Sequence, residues 1–155
     1  MGNIFLGIII VVMFTLCGYK YSQKYKERKD FFIDMFSFNE LMISEVSFRK
    51  RTLMEINNRQ NYKSRFSIIM NYYIKNEDAD KTQNGLLKEE EVDFIDTYFS
   101  MLGRSDSDSQ IKMLDTSKST IKKYMDSSSS EAAKYTNLCV KLSFLLGLIA
   151  FLIII

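Results

Sequence analysis

Apolar residues are distributed in two ways along this chain: as unbroken runs at its two ends, and as helically spaced stripes between them. The first run, Ile4 to Leu16, lies in a charge-free stretch from Met1 to Tyr19. A helix of about 19 residues rises roughly 28 Å, close to the thickness of the hydrocarbon core. A secretory signal peptide would carry its basic residues before the run and a small-residue cleavage site after it. Here Lys20, Lys24, Lys26, Arg28 and Lys29 all follow the run, against Glu27 alone. Residues 1–19 are therefore expected to be a retained transmembrane helix, with the basic flank on the cytoplasmic side. The second run, Leu142 to Ile155, is interrupted only by Ser143 and Gly147. Extending it back through Leu138 gives about 27 Å, with the Lys141 stem reaching for the headgroups. A buried core helix is the competing reading. It would show a polar stripe, and none exists from Phe144 onward. Residues 142–155 are thus a second expected transmembrane helix, with Lys134 and Lys141 on its cytoplasmic flank.

Between the runs, residues 20–141 read as a cytoplasmic helical-bundle domain. The first helix is expected to continue to about Ser47, because Phe32, Met35, Phe36, Met42, Ile43 and Val46 recur at helical spacing. A short helix is expected near Thr52 to Gln60. Another covers about Tyr62 to Lys75, with Phe66, Ile69, Met70 and Tyr73 as its stripe. Asn76 to Gly85 is a polar loop ending in a turn. The next helix opens at Lys88-Glu89-Glu90-Glu91, where acids suit the positive end of the helix dipole. Val92, Ile95, Phe99 and Leu102 form its apolar side. A helix-to-helix corner follows, built on Gly103, Ser105, Asp106 and Gln110. Gly103 suits the left-handed position after a helix. Ser105 is expected to cap the last helix, with Asp108 adding charge in its first turn. That helix runs from about Asp108 into the membrane. Asp126 and the serines 127–130 interrupt its apolar pattern, and the sequence leaves open whether they break it. The fold class is all-α: a helical bundle between N-terminal and C-terminal transmembrane helices.

Composition supports this and narrows the chemistry. The 155 residues include no Pro and only 6 Gly, so long helices are favoured. The absence of His removes the commonest general base and metal ligand. Cys17 and Cys139 are too far apart in sequence for a CxxC site and suit small apolar positions in or near the membrane. Asp106 and Asp108 do not open an EF-hand, because its sixth and twelfth positions would hold Ile111 and Ser117. No GxxxxGK[ST] loop is present, so ATP-driven work would fall to a partner. No catalytic, cofactor or metal residues are expected, and no small-molecule substrate.

Charge divides the middle of the chain. From Arg49 to Arg65 six charged residues are basic and only Glu55 is acidic; from Glu77 to Asp96 eight are acidic and only Lys81 and Lys88 are basic. Such runs are ordinarily solvated faces. As docking surfaces they would steer a charged partner. Arg49, Arg51, Arg59, Lys63 and Arg65 are the partner-binding candidates, since the planar guanidinium pairs bidentately with carboxylates. Nucleic acid is not the expected partner, because no recognition motif is present and the net charge is only +2.

Several segments taken in order resemble the stage III sporulation protein AB family of endospore-forming bacteria. Glu45-Val46 with Leu53 and Glu55 is similar to the family's EI…TPLPEA region, although Thr52 and Met54 replace its prolines. Leu102-Gly103, Ser105-Asp106 and Gln110 resemble its LG-x-SD…Q corner. Glu131-Ala132, Lys134-Tyr135 and the closing LLGLIAFLIII resemble its last helix. The resemblance implies a part of a secretion-like assembly rather than a catalyst. It implies a place in the mother-cell membrane facing the forespore, and a soluble domain similar to the helical domain of type II secretion F proteins. The implied partners are the stage III sporulation protein AA ATPase and other channel proteins. An unrelated membrane-anchored adaptor is the alternative.

Overall fold

A computed structural model describes residues 2–48, 62, 65–75 and 85–154. Among these there are four helices and no strand: α1 (Gly2–Phe48), α2 (Arg65–Lys75), α3 (Glu89–Met101) and α4 (Ser107–Ile154). The short helix expected near Thr52 to Gln60 lies outside the described residues. The chain divides into two compact units, one of Met1–Lys26 with Ser128–Ile155 and one of Glu27–Ser127.

The second unit is a bundle with an aromatic interior. α1 contributes Phe31, Phe32, Met35 and Phe38, all fully buried. α2 adds Phe66, Ile69 and Met70, α3 adds Ile95 and Tyr98, and α4 adds Leu114 and Ile121. Phe66 is central: its ring packs on Phe31 at 5.6 Å and on Phe38 at 5.5 Å, in the edge-on and tilted geometries that ring quadrupoles favour. Two details of α3 differ from the stripe read in sequence. Phe99 is only partly buried, stacked on Tyr73 at 4.6 Å, while the neighbouring Tyr98 is the residue enclosed by the core. Tyr98 can lie inside because its hydroxyl donates to Asn39 Oδ1 at 3.0 Å and Asn39 in turn donates to the Leu114 carbonyl at 3.2 Å. A buried polar group with a partner on each side carries little penalty.

The first unit is a pair of antiparallel helix segments, and small residues set its contact line. A side chain placed at Gly7 would collide with Phe151, and one at Gly18 with Ser143. At Gly147 an added Cβ would lie 3.0 Å from Val11 Cα, so backbone approaches backbone there. Ser22, Ser128 and Ala132 are buried as well. Tyr25 stacks on Tyr135 with centroids 5.1 Å apart. The contacts thus step up one helix as they step down the other. Close approach through small side chains is how helices associate where no hydrophobic driving force separates them from their solvent. The outward residues are large and apolar. Phe5, Leu152 and Ile153 are each at least 70% exposed, and only 17% and 6% of the two most apolar 18-residue stretches is buried. Both long helices are apolar enough to cross a membrane.

α4 is unbroken from Ser107 to Ile154, so Asp126 and the serines 127–130 lie within a continuous helix. Serine costs a helix only a few tenths of a kcal/mol, about 0.5. Ser128 is itself buried.

Candidate functional site

The corner between α3 and α4 brings together the four residues that sequence singled out. α3 ends where Leu102 turns to extended backbone and its N–H donates to the Phe99 carbonyl at 3.3 Å. Gly103 follows at φ 76°, a region closed to most side chains. Its N–H donates to Gln110 Oε1 at 2.9 Å, and the Ser105 hydroxyl donates to the same oxygen at 3.4 Å. Gln110 is buried, so the first full turn of α4 is fastened back onto the end of α3. The cap itself differs by one residue from the sequence reading. α4 starts at Ser107, and Asp106 rather than Ser105 accepts from the Ser109 N–H at 3.2 Å. Hydrogen bonds from Ser109 hold the Asp106 carboxyl below its usual pKa. Ser and Asp are near-equal caps, so residue type alone does not choose between them. The residues outside this knot, Met101, Arg104, Ser107 and Asp108, are exposed.

The charged candidates are only partly described. Arg49, Arg51, Arg59 and Lys63 lie outside the described residues. Arg65 begins α2, is half-exposed, and its Nε lies 3.1 Å from Glu27 Oε2. The acidic run proves to have two faces. Glu89, Glu90 and Asp93 point to solvent, whereas Glu91 is fully buried. Glu91 receives Arg28 Nε at 3.0 Å on Oε2, with the Arg28 Nη2 on its other oxygen. It also accepts the Lys88 N–H at 2.9 Å and so closes the N-terminus of α3. Arg28, read in sequence as part of the basic flank, is thus an interior residue of the bundle. Asp96 likewise accepts from the Tyr73 hydroxyl, and burial together with that bond raises the Tyr73 pKa. Among the described residues no cluster of three His, Cys, Asp or Glu could hold a metal ion.

What the geometry defines is an all-α, membrane-associated protein whose conspicuous features are a locked helix corner and charged outer faces. The family model of stage III sporulation protein AB matches residues 70–155, and the chain belongs to that family. It is a sporulation protein, of a family not known for enzymes. The matched stretch contains the corner and all of α3 and α4. The Glu45-Val46 and Leu53 to Glu55 resemblance falls before it. No curated protein and no solved structure matches the chain.

Proposed function

We propose that this chain is a non-enzymatic, membrane-anchored structural component of a secretion-like channel complex between mother cell and forespore, coupling a cytoplasmic ATPase to the membrane assembly. The observation that carries the reading is the family match over residues 70–155 on a chain with two membrane-length apolar helices. Basic flanks at Lys20 to Lys29 and at Lys134 and Lys141 favour a cytoplasmic location for residues 20–141, with the apolar helices of 1–19 and 142–155 as spans. The ATPase partner is the stage III sporulation protein AA ATPase, met through the basic residues Arg49 to Arg65. Other channel proteins are its neighbours in the membrane. Photocrosslinkers placed at Arg59 and at Asp93 in sporulating cells test this. Capture of the ATPase from Arg59 is the expected result. Capture of no channel component from either position would remove the proposal.

A further inference from the structure

The basic flanks of the first unit are also brought together by its helix pairing. Its two segments hold five lysines, Lys20, Lys24, Lys26, Lys134 and Lys141, against the single acid Glu131, a net of +4 in a chain whose total is +2. Residues 1–26 contain no acid at all. The lysines are interleaved with Tyr19, Tyr21, Tyr25 and Tyr135, and contacts tie the set together. Lys26 Nζ lies over the Tyr19 ring at 5.5 Å, and Lys134 Nζ over Tyr135 at 5.4 Å. Tyr21 packs edge-on to Tyr25 at 6.3 Å, and Tyr25 stacks on Tyr135 across the helix pair. Tyr19 and Tyr21 remain 49% and 59% exposed, and Lys20, Lys24, Lys134 and Lys141 are exposed too.

The antiparallel pairing sorts these residues into two tiers. Tyr25 meets Tyr135, so Lys24, Lys26 and Lys134 share one level. Gly18 meets Ser143 and Cys139, so Lys20 and Lys141 share the next, on the side of the apolar runs. Lys134 and Lys141 are separated by about 10 Å along the axis. A single headgroup layer is only about 6 Å deep. On α4 the two tiers are thus more than one headgroup layer apart, while on α1 Lys20 and Lys24 are separated by about 6 Å, about one layer. An ammonium in the inner tier needs an anion drawn to it or a stem stretched outward.

We infer that this two-tier lysine–tyrosine collar is a binding surface for the phosphate headgroups of anionic phospholipids. The ammonium groups pair with phosphate, the phenols donate to phosphate or ester oxygens, and the exposed apolar faces of the same helices take the acyl chains. The cation–π contacts hold Lys26 and Lys134 beside the rings that would flank a headgroup. This inference rests on the membrane reading above.

The full chain is incorporated into vesicles of equimolar phosphatidylcholine and phosphatidylglycerol, floated, and released for native mass spectrometry. Phosphatidylglycerol is expected in excess on the released protein. Replacing all five lysines by Gln should abolish the excess, with a fall of up to about fivefold per lysine removed. Replacing them by Arg should restore it, and far-UV circular dichroism should show unchanged helix. The pairs K20Q/K141Q and K24Q/K134Q give the same reading should the fivefold variant fail to insert. Retention of the two lipids in their bulk ratio by the parent chain, or an excess that survives in the Gln variants, overturns the inference. A chain that does not float at all would instead overturn the membrane reading.

Discussion

The two units solve opposite packing problems with the same secondary structure. In the bundle the large side chains are inside: Phe31, Phe32, Phe38 and Phe66 are fully buried, and the outer faces carry Glu89, Asp93, Lys112 and Asp115. In the helix pair the small residues are inside, and Phe5, Leu145 and Ile149 face outward. On the membrane reading proposed above, the difference follows from what each surface meets. Water rewards burial of apolar area at about 25 cal/mol per Å², so a bundle gathers its rings. A hydrocarbon solvent gives no such reward, and helices there associate by close packing through Gly, Ser and Ala. An identical substitution should therefore have different consequences in the two units.

The largest effect is expected inside the bundle. Glu91→Ala leaves the Arg28 guanidinium buried without its carboxylate and also removes the acceptor for Lys88 N–H. Breaking one half of a buried pair costs about 3–5 kcal/mol. The double variant R28M/E91L, which removes both charges, should cost far less. Denaturant melts of the reconstituted chain followed by near-UV dichroism would compare them. Equal losses in both variants would mean that the pair's charge is irrelevant to stability.

In the helix pair the corresponding experiment adds volume. Gly147→Leu must push against Val11 Cα, where no flexible side chain can yield. Overpacking of this kind costs about 1–3 kcal/mol. Gly18→Leu meets Ser143 first and then the Cys139 carbonyl, so it should act in the same direction. A cysteine pair engineered across the seam would report the separation through a lower crosslinking yield. Undiminished crosslinking would show that the seam tolerates side chains.

How much of this contrast the sequence displayed depends on whether a residue type has a periodic context. Phe32, Met35, Phe66, Ile69 and Ile95 stood out because polar neighbours frame them at helical spacing, and each is buried. The seam of Gly7, Gly18, Ser143 and Gly147 did not stand out, because a run apolar on every side has no period to mark its inner face. Arg28 and Glu91 were hidden for a different reason. They lie 63 positions apart, beside charges such as Lys24, Glu89, Glu90 and Asp93 that are exposed, and nothing local marks the two that turn inward. The corner was legible in outline, since Gly103 and Gln110 have few other uses there. The choice between Ser105 and Asp106 as cap was not, because both residue types accept equally well.

Smaller still should be the response to pH. Burial raises the phenols of Tyr62, Tyr73 and Tyr98, with Tyr62 pushed up to about 12, and Asp34 adding to the effect of burial there. An unfolded phenol ionises near about 10. Their contribution to stability is therefore complete below that pH and is lost as pH rises above it, for Tyr62 toward about 12. Asp106 has the opposite sign. Its carboxyl is lowered by the hydrogen bonds from Ser109, so its contribution is present at neutral pH and lost as pH falls through the lowered value. Melting temperatures measured from acid to alkaline pH should fall at both ends, with Y62F flattening the alkaline limb and D106N the acid one. A parent curve unchanged by either substitution would disconnect these groups from folding.

The smallest effect on folding is expected where the largest effect on function is proposed. Arg65 is half-exposed, and its partner Glu27 is similarly open to water. Exposed pairs of this kind contribute about 0–1 kcal/mol, because solvent screens the attraction and ordering two long side chains costs entropy. Reversing Arg59 and Arg65 to Glu should therefore shift the melting curve by little more than the width of the measurement. If the basic half meets an acidic partner, the same reversal should slow association at low salt and reduce its salt dependence, since steering depends on the sign of the field. Sporulation should then stall in cells carrying the variant. The acidic face offers the complementary control, because Glu89, Glu90 and Asp93 are exposed while Glu91 must be left intact for the bundle to stand. Reversing those three to Lys should leave ATPase binding unchanged. Binding that survives the Arg59 and Arg65 reversal but fails in the acidic one would move the docking surface from the basic half to the outer face of α3.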